Sequence, residues 1–280
     1  MTRPPEDVLR EWRESAPFWE KHGDTIRQMF APITHALIEE AQIREGDHVL
    51  DIAGGTGEPS LTIAEAVGSQ GAVVCTDVEA GMVAAARREA EKRGVTNIKF
   101  QQSAAESLAF KVNSFDVVVS RLGAMFFADV AAAISETLRV TKPNGRISFA
   151  VWHNRDFNPF FHAVTSAMAR YVEYPPEDPN APGGFRFSDS GKLAGILEKC
   201  GASNVKERLF AFYIEAPISL EEFWTVRSEM SDSLRTKLER LSENKVQQVI
   251  SDVKDAVRDF FPDGYMRIPA QVLIVTGNKS

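Results

Sequence analysis

The sequence predicts an α/β protein: a doubly wound, mostly parallel sheet of seven strands with an antiparallel edge and added helical cover. Three observations lead there. Short apolar runs alternate with helix-period segments over about a hundred residues, as crossover-connected parallel strands require. The runs, such as Val73-Val74-Cys75 and Val117-Val118-Val119, are continuous instead of alternating, which marks strands buried on both faces. Gly94, Pro143 and Asn144-Gly145 fall where turns are needed.

Taken in order, residues 6–42 read as two amphipathic helices separated at Pro17. Trp12, Phe18 and Trp19 lie in or near the first, and Ile26, Met29, Phe30, Ile33, Leu37 and Ile38 recur at helical spacing in the second. Gly46-Asp47 turns the chain into a strand over 48–52. A helix over 58–67, a strand over 72–76, a helix over 80–93 and a strand over 98–101 follow. The next strand covers 115–120, then a helix 130–140 and a strand 146–152.

Beyond Trp152 the alternation stops. A helix over 159–171 leads into Pro175-Pro176, Pro179, Pro182 and Gly183-Gly184, a surface loop or lid. Ser188-Asp189 caps a helix running to Lys199, and 202–214 is a strand. A helical stretch, 220–260, separates it from a last strand at 270–276, the two forming an antiparallel edge pair. The expected organisation is an N-terminal helical cover (1–42) and a main domain (43–280) with lid insertions at about 153–188 and 217–262.

Among 280 residues, 32 Lys and Arg stand against 39 Asp and Glu, a net charge of −7. That balance carries no footprint for nucleic acid or an anionic membrane surface. The first residues, Met1 to Asp7, have no apolar core of a secretory signal. The richest apolar stretch, 115–134, is interrupted by Asp116, Arg121 and Asp129, which argues against a bilayer span. Cys75 and Cys200 read as buried free thiols in place of a disulfide. No His/Cys cluster has metal-ligand spacing, so no metal is expected. The expectation is a cytoplasmic protein, a homodimer, acting on a small molecule without integral membrane association.

Chemistry concentrates in Val49-Leu50-Asp51-Ile52-Ala53-Gly54-Gly55-Thr56-Gly57, with Asp77 ending the next apolar run. Glycines let backbone approach a ligand, and a carboxylate one strand later can accept from two ribose hydroxyls. A dinucleotide fingerprint would place a third glycine where Ser60 stands, which weakens a pyrophosphate reading. A plain strand-to-helix turn is the alternative. Further signals follow in order: Asp77-Val78-Glu79-Ala80-Gly81-Met82, then Ala105-Glu106-Ser107-Leu108, Phe115 to Phe127, and Pro143 to Trp152.

With these five motifs in order over about residues 45–152, the chain resembles the class I S-adenosylmethionine-dependent methyltransferases. It looks most like the broad group that includes the ubiquinone and menaquinone biosynthesis methyltransferases. The resemblance implies a Rossmann-like fold and S-adenosylmethionine as cofactor. It implies that Asp51, Ala53, Gly54 and Gly55 line the methionine and ribose side. Asp77 would bind the ribose diol, and Val78 and Met82 would flank the adenine. Ala105, by its backbone N–H, and Glu106 would meet the adenine edge, while Ser120 and Arg121 would close the methionine end. Two positions depart from the pattern. Ala53 stands where glycine is frequent, and Ala104 stands where many members place an aspartate facing the adenine amino group. That amino group then goes without the aspartate as acceptor, or takes Glu106 in its place.

Attack on a sulfonium methyl neutralises charge, so such transfer needs alignment and a dry pocket above all. His153 and His22 are the candidate general bases, each with an ordinary hydrogen-bonded histidine as the alternative. Arg121 would pair with the cofactor carboxylate or a substrate anion, or else form a structural ion pair. Trp12, Phe18 and Trp19 read either as a lid or as packing on the sheet. Asn158-Pro159-Phe160-Phe161 follows strand five and not strand four, so it reads as a helix start with proline in its first turn. The function expected is methyl transfer to oxygen or carbon of a small, apolar or aromatic molecule. Its rivals are a non-catalytic cofactor-binding or interaction module, and a nicotinamide-dependent oxidoreductase.

Overall fold

The computed structural model describes residues 5–173 and 178–280. Met1 to Pro4, and Pro175-Pro176 of the expected loop, lie outside the described residues. Seven strands form one sheet: β1 (His48–Ile52), β2 (Ala72–Asp77), β3 (Ile98–Gln102), β4 (Phe115–Arg121), β5 (Thr141–Trp152), β6 (Ala202–Ala216) and β7 (Met266–Lys279). Their order is β3-β2-β1-β4-β5-β7-β6. The first five are parallel, and β7 runs antiparallel to both β5 and β6. The last two strands are thus the antiparallel edge pair, with β6 outermost.

Continuous apolar runs do what the pattern implied: Val49, Leu50, Val118 and Val119 are completely buried between helices on both faces. Helix ends are fixed by local chemistry. In α4 (Ala80–Arg93) the Glu79 carboxylate accepts from the Gly81 N–H, and Gly94 closes the helix at φ +66°. Asp129 caps α5 (Val130–Val140) by accepting from the Ala132 N–H. β5 begins earlier than expected because the Pro143-Asn144-Gly145 turn is absorbed through a shift of register between Phe115 and Val117 of β4.

The N-terminal helices do not part at Pro17. That proline lies inside α1 (Pro5–Lys21), on an exposed position, and the chain turns at His22, before α2 (Gly23–Glu40). One proline forfeits a single backbone bond, whereas the turn forms at His22 just before Gly23, a residue that weakens any helix it joins. Pro32 likewise sits inside α2. The buried face of α2 (Met29, Ile33, Leu37) belongs to the same core as the sheet.

α3 (Ser60–Val67) and α6 (Pro159–Met168) follow β1 and β5. α7 spans Lys192–Lys199 and starts from Gly191 at φ +80°, not from Ser188-Asp189. The Ser188 carbonyl faces the His153 ring, and the Asp189 carbonyl accepts from the Lys192 N–H, so that pair builds the preceding turn. The long helical stretch resolves into α8 (Leu220–Glu229), α9 (Asp232–Leu238) and α10 (Glu243–Val257). Ser219, Ser231 and Ser242 head the three, and Ser219 with Glu222 makes a reciprocal capping box. α1 packs on α4 and α9, and α6 on α10 and β7. Cys75 is buried and Cys200, expected to be buried, is half-buried; both thiols are free. No helix among the described residues is long and apolar enough to cross a membrane.

Candidate active site

The strand order reverses between β1 and β4, the place where doubly wound sheets bind ligands beyond their strand ends. A cavity of about 500 Å³ opens there, lined by the segments leaving β1, β2, β3 and β4. Ala53, Gly54, Gly55, Asp77, Val78, Met82, Ala105, Glu106 and Arg121 all line it. Asp51 and Ser120 are fully buried beneath the loops and are not among its lining residues.

The turn after β1 is tight and strained. Ala53 holds φ +58° and Gly55 φ +57°, and Leu122 after β4 holds φ +62°. Left-handed alanine and leucine each cost about 1 kcal/mol or more, a strain tolerated where a site is shaped by it. Gly54 needs to be glycine for another reason. A Cβ there would stand 2.5 Å from Cys75 Sγ and 2.8 Å from Asp51 Oδ2. Asp51 accepts a 2.5 Å hydrogen bond from Ser60 Oγ, and its other oxygen has no partner among the described residues. Burial pushes this carboxyl up to about 7, opposed by the Ser60 hydrogen bond and the charge of Arg121.

Asp77 is held from two sides. Its Oδ2 accepts from Gly55 N–H at 3.0 Å and its Oδ1 from Glu79 N–H at 2.9 Å. Each oxygen keeps acceptor capacity toward the cavity, which suits a diol. Burial raises its pKa to about 6, against the pull of the two backbone donors. Ionised Asp77 is the stronger acceptor, and protonation removes that charge. Affinity for S-adenosylhomocysteine is therefore expected to fall as the pH is lowered from about 7.5 to about 5. Calorimetric titrations across that range check it; a flat profile would disconnect Asp77 from the ligand.

On the opposite wall the Ala105 N–H has no acceptor among the described residues. Glu106 lines the cavity, but its Oε1 accepts from the Ala128 and Asp129 N–H groups at 2.7 and 3.2 Å. It ties down the loop entering α5, which leaves one carboxylate oxygen for the role expected of it. Arg121 is buried; it donates to Thr34 Oγ1 at 2.7 Å and to the Glu58 carbonyl at 2.9 Å. Burial lowers its pKa, with Glu58 and Asp51 opposing. It has no ion-pair partner among the described residues, so the structural ion pair considered for it does not form.

Trp12 and Trp19 of α1 cover the cavity: the rings meet edge-on at 5.7 Å, and Trp12 meets Phe126 at 5.0 Å. Behind them lies a second cavity of about 550 Å³, rich in aromatic side chains from α6 and its neighbours. Trp12, Trp19, Phe30, Leu122, Phe126 and Pro182 line both. Neither candidate base lines either cavity. His22 Nε2 lies 2.6 Å from Glu229 Oε2, bracing α1 against α8, and His153 Nδ1 lies 2.8 Å from the Ser188 carbonyl and stacks on Phe157. Among the described residues no cluster of His, Cys, Asp or Glu is arranged to hold a metal.

Two residues were not anticipated. Thr34 orients Arg121 from α2, and Arg227 enters the second cavity from α8. A signal for Arg227 existed: Phe223, Val226, Arg227 and Met230 follow apolar helical spacing, so an arginine sits on a buried face.

Residues 43–183, just over half of the chain, match the model of the family described as a methyltransferase domain. The ubiquinone/menaquinone biosynthesis C-methyltransferase UbiE of Xanthomonas oryzae is 41% identical over 111 residues, 39% of this chain and 44% of that protein. The aklanonic acid methyltransferase DauC of a Streptomyces species is 34% identical over 138 residues, 49% of this chain and 60% of its own. The alignments thus span only about half the length of these curated relatives. Among solved structures, YcgJ of Bacillus subtilis aligns over 88% of this chain and 97% of its own with a TM-score of 0.56 at 21% identity. The [4+2]-cyclase SpnF aligns over 96% of both chains, with a TM-score of 0.55 at 16% identity. Likenesses at that identity speak for the fold alone. With the five ordered motifs and the family match over just over half of its length, the chain belongs to the class I S-adenosylmethionine-dependent methyltransferases.

Proposed function

We propose that the protein transfers the methyl group of S-adenosylmethionine to oxygen or carbon of a small, apolar or aromatic molecule seated in the second cavity. One observation carries this reading: two cavities of similar size, one lined by the β1 glycine turn and Asp77 and one walled by aromatics, meet at a shared set of six residues. When bound, the cofactor supplies an electrophilic methyl group on a sulfonium.

The chain's own residues supply the rest. Asp77 would hold the ribose, Val78 and Met82 the adenine faces, and the Ala105 N–H the adenine edge. Arg121, with no carboxylate partner among the described residues, would neutralise the cofactor carboxylate. Trp12, Trp19 and Phe126 exclude water at the junction, where alignment dominates the barrier. Because His22 and His153 are engaged elsewhere, the acceptor would be one that loses its proton without a histidine base. The names of the relatives, a quinone-pathway C-methyltransferase and an aklanonic acid methyltransferase, support a small-molecule acceptor.

Since the fold also serves a cyclase, the decisive readout is a methylated product. Purified protein is to be incubated with methyl-labelled S-adenosylmethionine and a small-molecule extract enriched in aromatics. Label transferred to a small molecule, with S-adenosylhomocysteine formed in equal amount, supports the proposal. Tight S-adenosylhomocysteine binding without transfer to any acceptor would favour the non-catalytic module instead.

A further inference from the structure

One buried cation lies outside the proposed cofactor cavity. Arg227 is 7% exposed, on the apolar face of α8 beside Phe223, Val226 and Met230. Its guanidinium lies 4.7 Å from the Phe160 ring centroid and 5.0 Å from that of Phe161. Its Nε donates to the Phe160 carbonyl at 3.1 Å. Among the described residues no carboxylate pairs with it, and its two terminal nitrogens have no acceptor. Burial draws its pKa down to about 10, with no neighbouring charge contributing, so it remains a cation at neutral pH.

Burying a cation without a counter-charge is costly, and the cost is relieved when a ligand brings the missing anion. The placement is selective, for Arg227 lines the second cavity and not the cofactor cavity. Around it that cavity carries Arg155, Arg186 and Lys237 against Glu11, Asp178 and Asp232, so Arg227 leaves a positive charge in excess. The aromatic rings hold the guanidinium plane while its terminal N–H groups remain for a planar acceptor, the geometry that matches a carboxylate.

We infer that the methyl acceptor is an apolar or aromatic carboxylic acid, whose carboxylate pairs with Arg227 while its body fills the aromatic cavity. Arg227 is then a specificity-determining residue. This rests on the second cavity being the acceptor site. A purely structural arginine would tie α8 to α6 through Phe160 and would confer no preference for acids.

The test uses the full-length protein and a panel of probe pairs, each an aromatic acid and its methyl ester, such as 2-naphthoic acid and methyl 2-naphthoate. Binding is followed by calorimetry, with S-adenosylhomocysteine titrated separately. Wild-type protein is expected to bind the acids about tenfold more tightly than the esters, or better. Arg227→Met should erase that preference with S-adenosylhomocysteine affinity unchanged, and Arg227→Lys should keep part of it. Acids that bind no better than esters to the wild type, or no acid binding at all, would overturn the inference; so would a preference that survives in Arg227→Met. Should Arg227→Met not fold, the wild-type and Arg227→Lys comparisons still decide. Failure to bind S-adenosylhomocysteine would strike the cofactor reading, a separate outcome.

Discussion

Replacing Asp77 with alanine is expected to weaken S-adenosylhomocysteine binding by about 1–3 kcal/mol, the scale of hydrogen bonds removed from a charged acceptor. The carboxylate is buried at the end of β2, clamped by the Gly55 and Glu79 N–H groups, with acceptor capacity left toward the cavity. Its removal has a second consequence. The Gly55 N–H loses its acceptor, so the β1 turn loosens, and the cost exceeds that of the ligand hydrogen bonds alone. Asp77→Asn separates the two effects, because an amide oxygen can still accept from Gly55 while the charge is gone. Asparagine is therefore expected to fall between wild type and alanine. Titration calorimetry on the three proteins checks the order. Wild-type affinity in Asp77→Ala would remove the central assignment of the site.

What the sequence made legible follows from where the physics is local. Strands β1, β2, β4 and β5 and the helices between them were readable because each of these strands holds a continuous apolar run, with a glycine, proline or capping residue within a few positions. β3, Ile98-Lys99-Phe100-Gln101-Gln102, was readable from its place in the alternation. The edge pair was readable too, since 202–214 and 270–276 fall outside the crossover rhythm. The error at Pro17 has a simple source: a proline's missing hydrogen bond is felt alike in any helix, but packing of α1 on α4 and α9 outweighs it. α7 starts at Gly191 because a left-handed residue fits there, and a φ of +80° is invisible in the letters Ser188-Asp189.

Side-chain direction was the harder quantity. His22 and His153 sit at plausible places along the chain, yet one reaches Glu229, 207 residues away, and the other the Ser188 carbonyl. Glu106 was expected at the adenine edge and spends one oxygen on the α5 loop. Arg227 is the converse case, a residue without a motif that acquires meaning only when α8 is packed against α6. Motifs report backbone geometry around the first cavity; the second cavity is built from non-local packing.

Gly54→Ala carries the second large effect, and it tests whether the cradle is as tight as its geometry demands. The new methyl group would meet Cys75 Sγ at 2.5 Å, Asp51 Oδ2 at 2.8 Å and Ser60 Oγ at 3.2 Å. Asp51, Ser60 and Cys75 are all fully buried, so none can swing into solvent. Overpacking of this kind costs about 1–3 kcal/mol. Part of that strain would be relieved by lifting the turn into the cavity, which lowers cofactor affinity as well as stability. The expected result is a reduced unfolding free energy and weaker S-adenosylhomocysteine binding. Cys75→Ala supplies the control, because it removes the nearest clashing atom at the cost of a small cavity. The Gly54→Ala, Cys75→Ala double variant should therefore be more stable than the sum of the single effects allows, a coupling that a double-mutant cycle in denaturant reads directly. Strict additivity would mean that the turn relaxes away from Cys75 without strain. Position 54 would then owe its glycine to ligand approach alone, and the defect in Gly54→Ala would appear in affinity and not in stability.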